Sequence, residues 1–517
     1  MIILANMRIY ERIMKQEGDQ DALALVLERG KDAEPLCFSY KILYDNVSRL
    51  QRHFQPNSRI AVSLPICVES IVLFLAISEA GSTFVPVNPE LTQSEFNHFF
   101  SQAEEGHLKI DLLISNTDIS KVFEIPFLLV SLYGTHVTLS QKNFLAKNDE
   151  IIAASPENIA LILFTSGTTA APKAVPLTHR NLLASVDNIL ATIPLTRSDI
   201  TLNVMPLFHI HGLVASVLTS LCAGATVVVP STGKFSASRF WPTIHAFQCT
   251  WFTCVPTIHH ILLPLCSPAA VRSLRFVRSS SSRLDPAVLE EMEEKYKCTV
   301  IEAYAMTETA YQITSNPFSA GSAKRKPGTV GFPHGSVEIM IRDSNGREKI
   351  SGEICVRGPN VIRHYLNNPE ADSAAFFPNG YFRTGDLGFI DPQDGYLTIT
   401  GRLKEQINRG GEKISPMEIE QAAKMHAHIS DAVAFGIPDL KYGEVIGLAI
   451  VMKKAQDAIS EKEMREFLKT RLATFKIPSR IWIADFPFPR TSGTGKLQRS
   501  LLASHFIGTI SHPRKSL

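Results

Sequence analysis

Short apolar runs alternate with stretches of helical periodicity through about residue 400 of the chain. Residues 159–164 (IALILF) form a short, continuous apolar run after Pro156, and this pattern predicts a buried strand. Residues 59–64 form a similar run and precede an amphipathic helical stretch at 68–79. Because strand-like runs alternate with helices, the pattern predicts parallel α/β layering.

Another helix is predicted after residue 178. Thr178 is a suitable N-cap, and the apolar residues that follow it share one helical face: Leu182, Leu183, Val186, Ile189 and Leu190.

Residues 165–175 (TSGTTAAPKAV) lie between that strand and that helix, and they combine hydroxyl side chains, small residues and one lysine. A loop that joins a strand to a helix lets backbone N–H groups converge on an anion, so the pattern predicts polyphosphate binding. A P-loop NTPase would need Gly-x4-Gly-Lys-Ser/Thr, whereas Lys173 follows Pro172 and no Ser or Thr comes next. By itself the segment is equally compatible with a hydroxyl-rich surface loop.

The pattern changes near residue 337. Residues 337–341 and 353–356 resemble strands on either side of a turn at 343–346, which predicts an antiparallel hairpin region that the run 396–400 (YLTIT) closes.

A small α+β unit is predicted from about residue 405 to the end. Its first helix is expected to begin after Ser415 as the N-cap, with Pro416 at the first helical position and Glu418 as a capping-box acid.

Length and composition narrow the class of protein. The 517 residues exceed what one hydrophobic core usually supports, so two or more domains are expected. A formal charge of +2 is too balanced for a protein that binds nucleic acid through phosphates. Eight cysteines without a C-x-x-C pair predict reduced thiols and a cytoplasmic location. No apolar stretch is long enough to predict a membrane span.

Six segments follow one another in a specific order: 165–175, 205–212 (MPLFHIHG), 302–308 (EAYAMTE), 381–388 (YFRTGDLG), 401–420 and 489–499. Together they resemble the adenylate-forming superfamily of acyl-CoA synthetases, luciferases and nonribosomal adenylation domains, from about residue 20 to 505. Within it, residues 302–316, 326–331 and 407–416 are most similar to the oxalate–CoA ligase group of plants and yeast.

The resemblance implies an α/β fold with a large N-terminal layered α/β domain that carries a β-rich subdomain, plus a small mobile C-terminal α+β domain. It places the AMP-binding domain at 1–403 and the C-terminal lid at 404–517. The implied activity is that of an ATP-dependent carboxylic acid–CoA ligase, which forms an acyl-adenylate and releases pyrophosphate and AMP. The implied cofactors are ATP, Mg²⁺ and coenzyme A, and the chain is expected to be a monomer or a homodimer.

The resemblance assigns the phosphates of ATP to the 165–175 loop, through Thr165, Ser166, Gly167, Thr168 and Thr169, with Lys173 near the β- and γ-phosphates. Glu308 and Thr168 are implied as Mg²⁺ ligands, since a hard cation bridging phosphates prefers oxygen. Ala170 and Ala174 stand where the family usually has Gly, which strains the loop if either position needs a positive φ.

The rest of the nucleotide is assigned to residues further along the chain. Tyr304 is implied at the adenine face, Thr307 at the α-phosphate, Asp386 at the ribose, and Arg402 at the ribose or the α-phosphate. Glu302 and Ala303 are implied as further nucleotide-binding residues. Lys404 stands where the family pivots, Lys496 is implied to approach the carboxylate and the α-phosphate, and Gly410 and Gly411 line the pantetheine tunnel. The implied catalytic set is Lys496, Glu308, Thr168 and His209.

The acid is assigned to a third group of residues. His209 is implied to gate the acyl pocket, and the other substrate residues are His211, Ser280, Ser281 and Tyr311, with Ser282 and Arg283 nearby in sequence. Oxalate-type relatives carry His where this chain has Tyr311, which removes a possible positive partner for a second carboxylate. A zinc site at His209 and His211 lacks further ligands at suitable spacing, and His259 and His260 are expected in a helix.

Other functions remain open at this point. One is a medium-chain or aromatic acyl-CoA synthetase, a second is an adenylation enzyme that loads a carrier protein, and a third is a nucleotide or acyl-adenylate binder without turnover. Lys496, Glu308 and Asp386 argue against the binder, whereas Ala170 and Ala174 leave it open.

Overall fold

The fold is taken from a computed structural model of the chain. It describes all residues except 1–6, 16–19, 31–32, 93, 98–99, 101–107, 118–124, 141–153, 166–172, 319–323, 344–345, 454–458, 491–496 and 512–517. The chain divides into two compact units. The first comprises residues 1–339 and 356–382, and the second comprises residues 340–355 and 383–517.

The described strands, in chain order, are β1 (Leu23–Leu27), β2 (Leu36–Ser39), β3 (Arg59–Ser63), β4 (Thr83–Val87), β5 (Leu112–Ser115), β6 (Phe127–Tyr133), β7 (His136–Ser140), β8 (Ile159–Thr165), β9 (Lys173–Thr178), β10 (Ile200–Leu202), β11 (Thr226–Val229), β12 (Trp251–Cys254), β13 (Phe276–Ser279), β14 (Thr299–Met306), β15 (Tyr311–Ser315), β16 (Phe332–Pro333), β17 (Glu338–Arg342), β18 (Ser351–Arg357), β19 (Phe382–Ile390), β20 (Leu397–Arg402), β21 (Ile407–Arg409), β22 (Glu412–Ile414), β23 (Ile429–Asp439), β24 (Gly443–Met452) and β25 (Arg480–Ala484).

The described α-helices are α1 (Ile9–Met14), α2 (Tyr40–Leu50), α3 (Val68–Glu79), α4 (His179–Leu190), α5 (Thr219–Cys222), α6 (Ala237–Ala246), α7 (Pro256–Leu262), α8 (Pro286–Tyr296), α9 (Pro369–Ala375), α10 (Pro416–Lys424), α11 (Glu461–Lys469) and α12 (Arg499–Ser511). A π-helix spans His211–Leu218, and short 3-10 turns include Thr307–Thr309 and Leu403–Glu405.

The first unit contains two large sheets, and most of their interior pairs are parallel. One has seven strands in the order β7-β6-β5-β3-β4-β8-β9, and only its two edge pairs are antiparallel. The other has nine strands in the order β16-β15-β14-β13-β12-β10-β11-β1-β2, with a parallel run from β14 to β1. Continuous apolar strands such as β8 are buried on both faces, as parallel sheets require. The predicted α/β layering is confirmed.

Helix α3 differs from the amphipathic helix predicted at 68–79. Eleven of its residues are buried, from Val68 to Glu79 with the exception of Glu69. The helix packs on β4, β6 and β8 on one side and contacts α1 and α2 on others. A helix enclosed by a sheet and other helices is apolar all round, so an amphipathic reading was wrong for this element.

The predicted connection of the 165–175 loop also needs correction. The chain after the loop forms β9, which pairs antiparallel with β8 from Ile159 opposite Thr178 to Thr165 opposite Lys173. The loop therefore joins two strands, and α4 begins only after β9. Val175 and Leu177 are fully buried in β9, and this burial accounts for the strand. The predicted cap is confirmed, because Thr178 and Asn181 form a capping box at the start of α4.

Strands β17, β18, β19 and β20 form a four-stranded sheet in that order. Most of their residues belong to the second unit. The predicted hairpin is confirmed, because Arg342 forms an antiparallel bridge with Glu348 and the Asp343 amide donates to the Arg347 carbonyl at 2.9 Å. Residues 344–345 of its turn lie outside the described residues.

The second sheet of this unit contains β22-β21-β24-β23, with β25 parallel to β24. Helix α10 begins at Pro416, as predicted, but the predicted capping box does not form, because the Ser415 side chain makes no hydrogen bond to the helix. The Ser415 hydroxyl donates to the Thr400 carbonyl at 2.6 Å, and Glu418 instead pairs with Lys476. Tertiary partners compete for both side chains and replace the local cap.

The cysteines, the helices and the overall class of the fold were each the subject of a prediction for the whole chain. All eight cysteines are free thiols. Among the described residues, no helix is both long enough and apolar enough to cross a membrane. The mixed α/β class, with a large N-terminal unit and a smaller C-terminal one, is confirmed.

Candidate active site

The β8–β9 hairpin positions one lysine beside a buried tyrosine. Thr165 ends β8 and lies directly opposite Lys173, the first residue of β9. The Lys173 Nζ atom lies 4.7 Å from the centroid of the Tyr365 ring. The Ala174 carbonyl accepts a hydrogen bond from the Leu366 amide at 3.0 Å, which fastens the Tyr365 segment to β9. Ser166, Gly167, Thr168, Thr169 and Ala170 lie outside the described residues.

Tyr365 also links this lysine to Glu308. The Tyr365 hydroxyl donates to Oε1 of Glu308 at 3.0 Å, and both side chains are buried. Glu308 lies in the 3-10 turn after β14, and its backbone carbonyl accepts the Ile362 amide at 2.9 Å. Burial, reinforced by the Glu308 carboxylate, raises the pKa of Tyr365. The phenol therefore stays protonated and donates, which orients the carboxylate.

Glu308 is the described residue among those assigned to Mg²⁺. Mg²⁺ usually binds through one or two carboxylates together with waters and substrate phosphates. An oriented Glu308 carboxylate in a turn, with Lys173 close to its tyrosine partner, fits that pattern. Within the described part of the chain there is no cluster of three His, Cys, Asp or Glu side chains that would form an all-protein metal cage.

A strained backbone follows Glu308. Ala310 has φ +51° and Tyr311 has φ +109°, and both are non-glycine residues in the left-handed region. The Asn360 side chain donates to the carbonyls of Thr309 and Gln312, at 3.0 and 2.9 Å, and so holds this corner from both sides. Strain of this kind persists only where the surroundings determine it, and it clusters at functional sites.

The strand before Glu308 carries residues assigned to the nucleotide. Glu302, Ala303 and Tyr304 are buried in β14, and Thr307 is half-buried in the turn that follows. One Glu302 oxygen accepts the Gly328 amide at 3.0 Å. Burial raises the pKa of Glu302 to about 7, against the opposing effects of this hydrogen bond and of Arg283 and Arg325.

The 205–212 segment folds back tightly on itself. An added Cβ on Gly212 would lie 2.3 Å from the Pro206 carbonyl oxygen and 2.4 Å from that of Met205, so a larger residue does not fit. The π-helix begins at His211 directly before this glycine. Such wide turns occur often at functional sites, and this one directs His211 inward. His209 is half-buried, with its ring 4.6 Å from the ring of Phe208.

Four of the residues assigned to the acid, together named the acid cluster, form two hydrogen-bonded pairs that meet where the His211 and Tyr311 rings are in contact. His211 is fully buried and is hydrogen-bonded through Nδ1 to Ser281 at 3.1 Å and through Nε2 to Thr253 at 2.7 Å. The Tyr311 hydroxyl donates to Ser280 at 2.8 Å, and its ring lies 5.1 Å from the His211 ring. Burial, reinforced by the Arg278 guanidinium, holds the pKa of His211 well below its ordinary range. His211 is therefore a neutral hydrogen-bonding group.

The structure adds two residues that the sequence analysis missed. Tyr365 orients Glu308, yet nothing in its sequence surroundings marks it. Arg278 follows Phe276 and Val277 in β13 and is fully buried beneath Tyr311, 5.0 Å from the ring centroid. A charged residue directly after two apolar strand residues was a signal that sequence reasoning could have used. The expectation that His259 and His260 belong to a helix is confirmed by α7.

In the second unit, Asp386 is held by its own sheet. It is buried, and its Oδ1 atom pairs with Nε of Arg402 at 3.0 Å across the β19–β20 ladder. The Asp386 amide donates to the Thr384 hydroxyl at 3.0 Å, and Gly385 has φ +72°, which a glycine adopts without strain. Asp386 and Arg402 therefore form a unit that can bind a diol through the carboxylate.

The remaining assigned residues of this unit lie on exposed segments. Lys404 is exposed in the Leu403–Glu405 turn, and Gly410 and Gly411 form the exposed tip of the β21–β22 hairpin with φ +60° and +95°. Lys496 lies outside the described residues, and the segment that contains it begins after Arg490, which forms an antiparallel bridge with Leu497.

Comparison with known proteins identifies the family. Residues 13–366 match the model of the AMP-binding enzyme family, and residues 418–496 match that of the AMP-binding enzyme C-terminal domain. The chain is 42% identical to an oxalate–CoA ligase of Arabidopsis thaliana, over 96% of this chain and 98% of that protein. It is 38% identical to an oxalate–CoA ligase of Saccharomyces cerevisiae, over 92% and 94%. ATP-bound MatB from Rhodopseudomonas palustris is similar in structure, with a TM-score of 0.86, 27% identity, and 97% and 99% coverage. The resemblance drawn from six sequence segments is confirmed: the chain belongs to the AMP-binding family of adenylate-forming enzymes.

Proposed function

We propose that this chain, an ATP-dependent acid–CoA ligase, activates oxalate as an acyl-adenylate and transfers the oxalyl group to coenzyme A. The observation that supports this proposal most strongly is the contact series from Lys173 through Tyr365 to Glu308. This series holds the Lys173 ammonium group at the end of the loop assigned to the phosphates and the Glu308 carboxylate in the turn after β14. A Mg²⁺–ATP site requires both groups, a cation for the phosphates and a carboxylate for the metal.

The first half-reaction joins the acid to AMP. A carboxylate oxygen attacks the α-phosphorus of ATP, the bond from that phosphorus to the bridging oxygen breaks, and pyrophosphate leaves. Glu308 and Thr168 would hold Mg²⁺, which neutralises phosphate charge when bound. Lys173 would stabilise the charge that collects on the β- and γ-phosphates, together with Thr165 and the 166–169 segment.

AMP is proposed to bind through Tyr304 at the adenine face, Thr307 at the α-phosphate, Asp386 at the ribose, and Arg402 at the ribose or the α-phosphate. Glu302 and Ala303 are proposed as further nucleotide-binding residues. Tyr304 presents an aromatic ring for the adenine face. Lys496 would stabilise the α-phosphate during attack as a point charge.

The second half-reaction transfers the acyl group. The CoA thiolate attacks the acyl carbon, and AMP leaves with the carboxylate oxygen that had joined the two. We propose that residues 404–517 act as a mobile lid that pivots at Lys404, on an AMP-binding domain at 1–403. Lys496 would serve the first step, and the Gly410–Gly411 tip the second.

The choice of oxalate rests on the acid cluster and on the relatives. His211, Ser280, Ser281 and Tyr311 offer hydrogen bonds to a small polar acid, and His209 lies two residues before His211 in the chain. The relatives named as oxalate–CoA ligases match almost the full chain. Since the phenol of Tyr311 has no positively charged form that could pair with a second carboxylate, a medium-chain or aromatic monocarboxylic acid is the second candidate.

We propose a cytoplasmic location, supported by the eight free thiols, and a monomer or homodimer. The proposed interaction partners are small molecules and no nucleic acid, because the formal charge is close to zero.

Pyrophosphate release with a panel of acids, with and without CoA, tests the function. Release with oxalate, together with oxalyl-CoA when CoA is present, is expected. Release without thioester formation would instead favour a carrier-protein acceptor. No release with any acid, despite tight ATP binding, would leave a nucleotide binder and contradict the proposal.

A further inference from the structure

Arg278 lies beside the acid cluster, and the proposed reaction gives it no role. Its side chain has no exposed surface, and its Nη2 atom donates to Oε1 of Gln312. Its Nε and Nη1 atoms have no hydrogen-bond partner in the described part of the chain. No Asp or Glu there forms an ion pair with it. A buried cation without a counter-charge is strongly unfavourable, so its retention points to an anion that binds nearby.

The position of Arg278 places this charge within the acid cluster. Its guanidinium lies 5.0 Å from the centroid of the Tyr311 ring, and the Tyr311 hydroxyl reaches Ser280. Arg278 is also the direct neighbour of Thr253 in the parallel β12–β13 ladder, and Thr253 is hydrogen-bonded to His211 at 2.7 Å. Paired residues of adjacent strands project to the same face of a sheet, so Arg278 and His211 serve one site.

Other positive groups of the cluster do not supply this charge. His211 is buried and neutral, as its lowered pKa indicates. Arg283 lies in the same segment, but it is exposed and its charge is offset by the nearby carboxylates of Glu302 and Asp285. Tyr311 carries a phenol, which has no positively charged form. Arg278 is therefore the cation that the low-dielectric interior leaves uncompensated.

We propose that Arg278 is the specificity-determining residue of the acid site: its fixed positive charge selects an acid that carries a second carboxylate beside the one activated by ATP. This inference rests on the proposed function, because it places the acid at His211, Ser280 and Tyr311. The charge acts on binding of the acid and leaves the attack on ATP to the residues described above. Loss of the charge is therefore expected to raise the KM for a dicarboxylate more than it lowers kcat.

Oxalate and oxamate distinguish a charge effect from a packing effect, because oxamate replaces the second carboxylate by an uncharged amide of nearly the same shape. Pyrophosphate release is measured with each acid, and the ratio of kcat/KM values is compared. Wild-type protein is expected to prefer oxalate by at least about tenfold, as a charge pair in a partly buried site implies. Arg278→Met should reduce the preference to less than about threefold, whereas Arg278→Lys should retain most of it.

A second variant removes the net charge without removing the arginine. Gln312→Glu places a carboxylate on the atom that already accepts from Arg278, so the guanidinium gains a counter-charge at little change in shape. It should lose the preference for oxalate as Arg278→Met does. Arg283→Gln serves as the matched control and should keep the wild-type ratio, whatever its effect on absolute rate. Thermal unfolding shows which variants are folded.

The outcomes separate the two proposals. No pyrophosphate release by the wild-type protein with oxalate or any other dicarboxylate would contradict the proposed acid. Oxalate turnover by wild type with no preference over oxamate would contradict the role of Arg278, and this comparison needs no variant. An unchanged preference in Arg278→Met or Gln312→Glu, or its loss in Arg283→Gln, would contradict that role as well.

Discussion

The contact of the Tyr365 hydroxyl with Glu308 is the single-residue feature on which the proposed Mg²⁺–ATP site depends most. The bond is 3.0 Å long, and the same ring lies beside Lys173. Without the hydroxyl, a buried carboxylate loses one of its donors and its fixed orientation. The residue thus acts on the metal through Glu308 and is a positioning residue.

Tyr365→Phe tests this role. The variant keeps the ring against Lys173 but removes one hydrogen bond, which is worth about 1 kcal/mol. The KM for Mg²⁺–ATP in pyrophosphate release should rise about fivefold, with little change in unfolding temperature. The matched control is Tyr381→Phe, which removes a hydroxyl that binds Glu338 elsewhere in the unit. A KM equal to that of wild type would show that Glu308 needs no help from Tyr365.

Glu302 makes stability depend on pH. Burial raises its pKa to about 7 from 4.5, so between these values the folded chain holds a proton that the unfolded chain has lost. Stability from this residue therefore falls as pH rises through that window. Glu302→Gln imitates the protonated form and should reduce the loss of unfolding free energy between pH 5 and pH 8 by about 2 kcal/mol.

Chemical denaturation at several pH values measures this effect. Glu290→Gln, on the exposed face of α8, is the control and should follow wild type. If the pH dependence of Glu302→Gln equals that of wild type, the carboxyl is ionised in the fold at neutral pH and the account of its burial is wrong.

At this scale, the sequence indicates the acid cluster but not the partners of Tyr365 or Arg278. Segments such as 302–308 specify which residue types stand at which spacing, and the structure brings His211, Ser280, Ser281 and Tyr311 into one cluster. Tyr365 escaped notice because its partner Glu308 lies 57 positions away, and only tertiary folding joins them. Arg278 was passed over because its neighbours in β13 look like an ordinary buried strand.

Among the elements, the turn into the π-helix shapes the acid cluster by a close backbone approach. Gly212→Ala would bring a Cβ within 2.4 Å of two carbonyl oxygens, so the 205–212 segment must shift and displace His211. We expect the variant to lose about 2–4 kcal/mol of unfolding free energy.

Gly134→Ala is the control for this prediction. Gly134 has a positive φ of +56°, which Gly212 does not have, and an added Cβ on Gly134 meets no atom within 4 Å. It should cost about 1 kcal/mol from backbone strain alone. Equal losses in the two variants, measured by urea unfolding, would show that the close approach at Gly212 costs no more than backbone strain at an open position.

A second element, α12, is tied to its unit by one arginine. Arg499 is 19% exposed and contacts the carboxylates of Glu405 and Glu420 and the Ala434 carbonyl. Arg499→Met leaves these acceptors without their cation and should cost about 2 kcal/mol of local stability, discounted for partial exposure. Hydrogen exchange of residues 499–508 should accelerate in that proportion.

The exposed pair of Lys469 with Glu466 provides the comparison, because Lys469→Met should change exchange in α12 very little. Unaltered exchange in Arg499→Met would mean that apolar packing of α12, through Leu502 and Phe506, suffices to hold it.

The elements that sequence analysis misread share one cause. Periodicity predicted a helix at 68–79 and a strand at 159–164, and both exist. Three predictions were wrong: an amphipathic α3, a helix directly after the 165–175 loop, and a capping box at α10. In each case, contacts with residues distant in sequence determine the observed structure. Val175 and Leu177 are buried by other strands, and Ser415 is drawn to Thr400. The local sequence pattern does not specify contacts with residues distant in the chain.

On the scale of the whole molecule, the two proposed half-reactions depend on different residues of the C-terminal segment. Lys496→Ala should abolish adenylate formation but leave thioester formation from supplied oxalyl-adenylate close to wild type. Rapid-quench assays of the two steps measure this. Gly410→Pro, at the exposed hairpin tip, should show the opposite pattern. Equal loss of both steps in Lys496→Ala would count against a lysine that serves the first step alone.

The most direct test of the central claim follows the oxygen of the acid. If oxalate attacks the α-phosphorus and the thiol then attacks the acyl carbon, one oxygen of the activated carboxylate must leave in AMP. With oxalate labelled by oxygen-18, ATP and CoA, mass spectrometry is expected to find one label in the phosphate of each AMP and none in pyrophosphate. Label in inorganic phosphate with formation of ADP, or unlabelled AMP beside oxalyl-CoA, would contradict an acyl-adenylate intermediate.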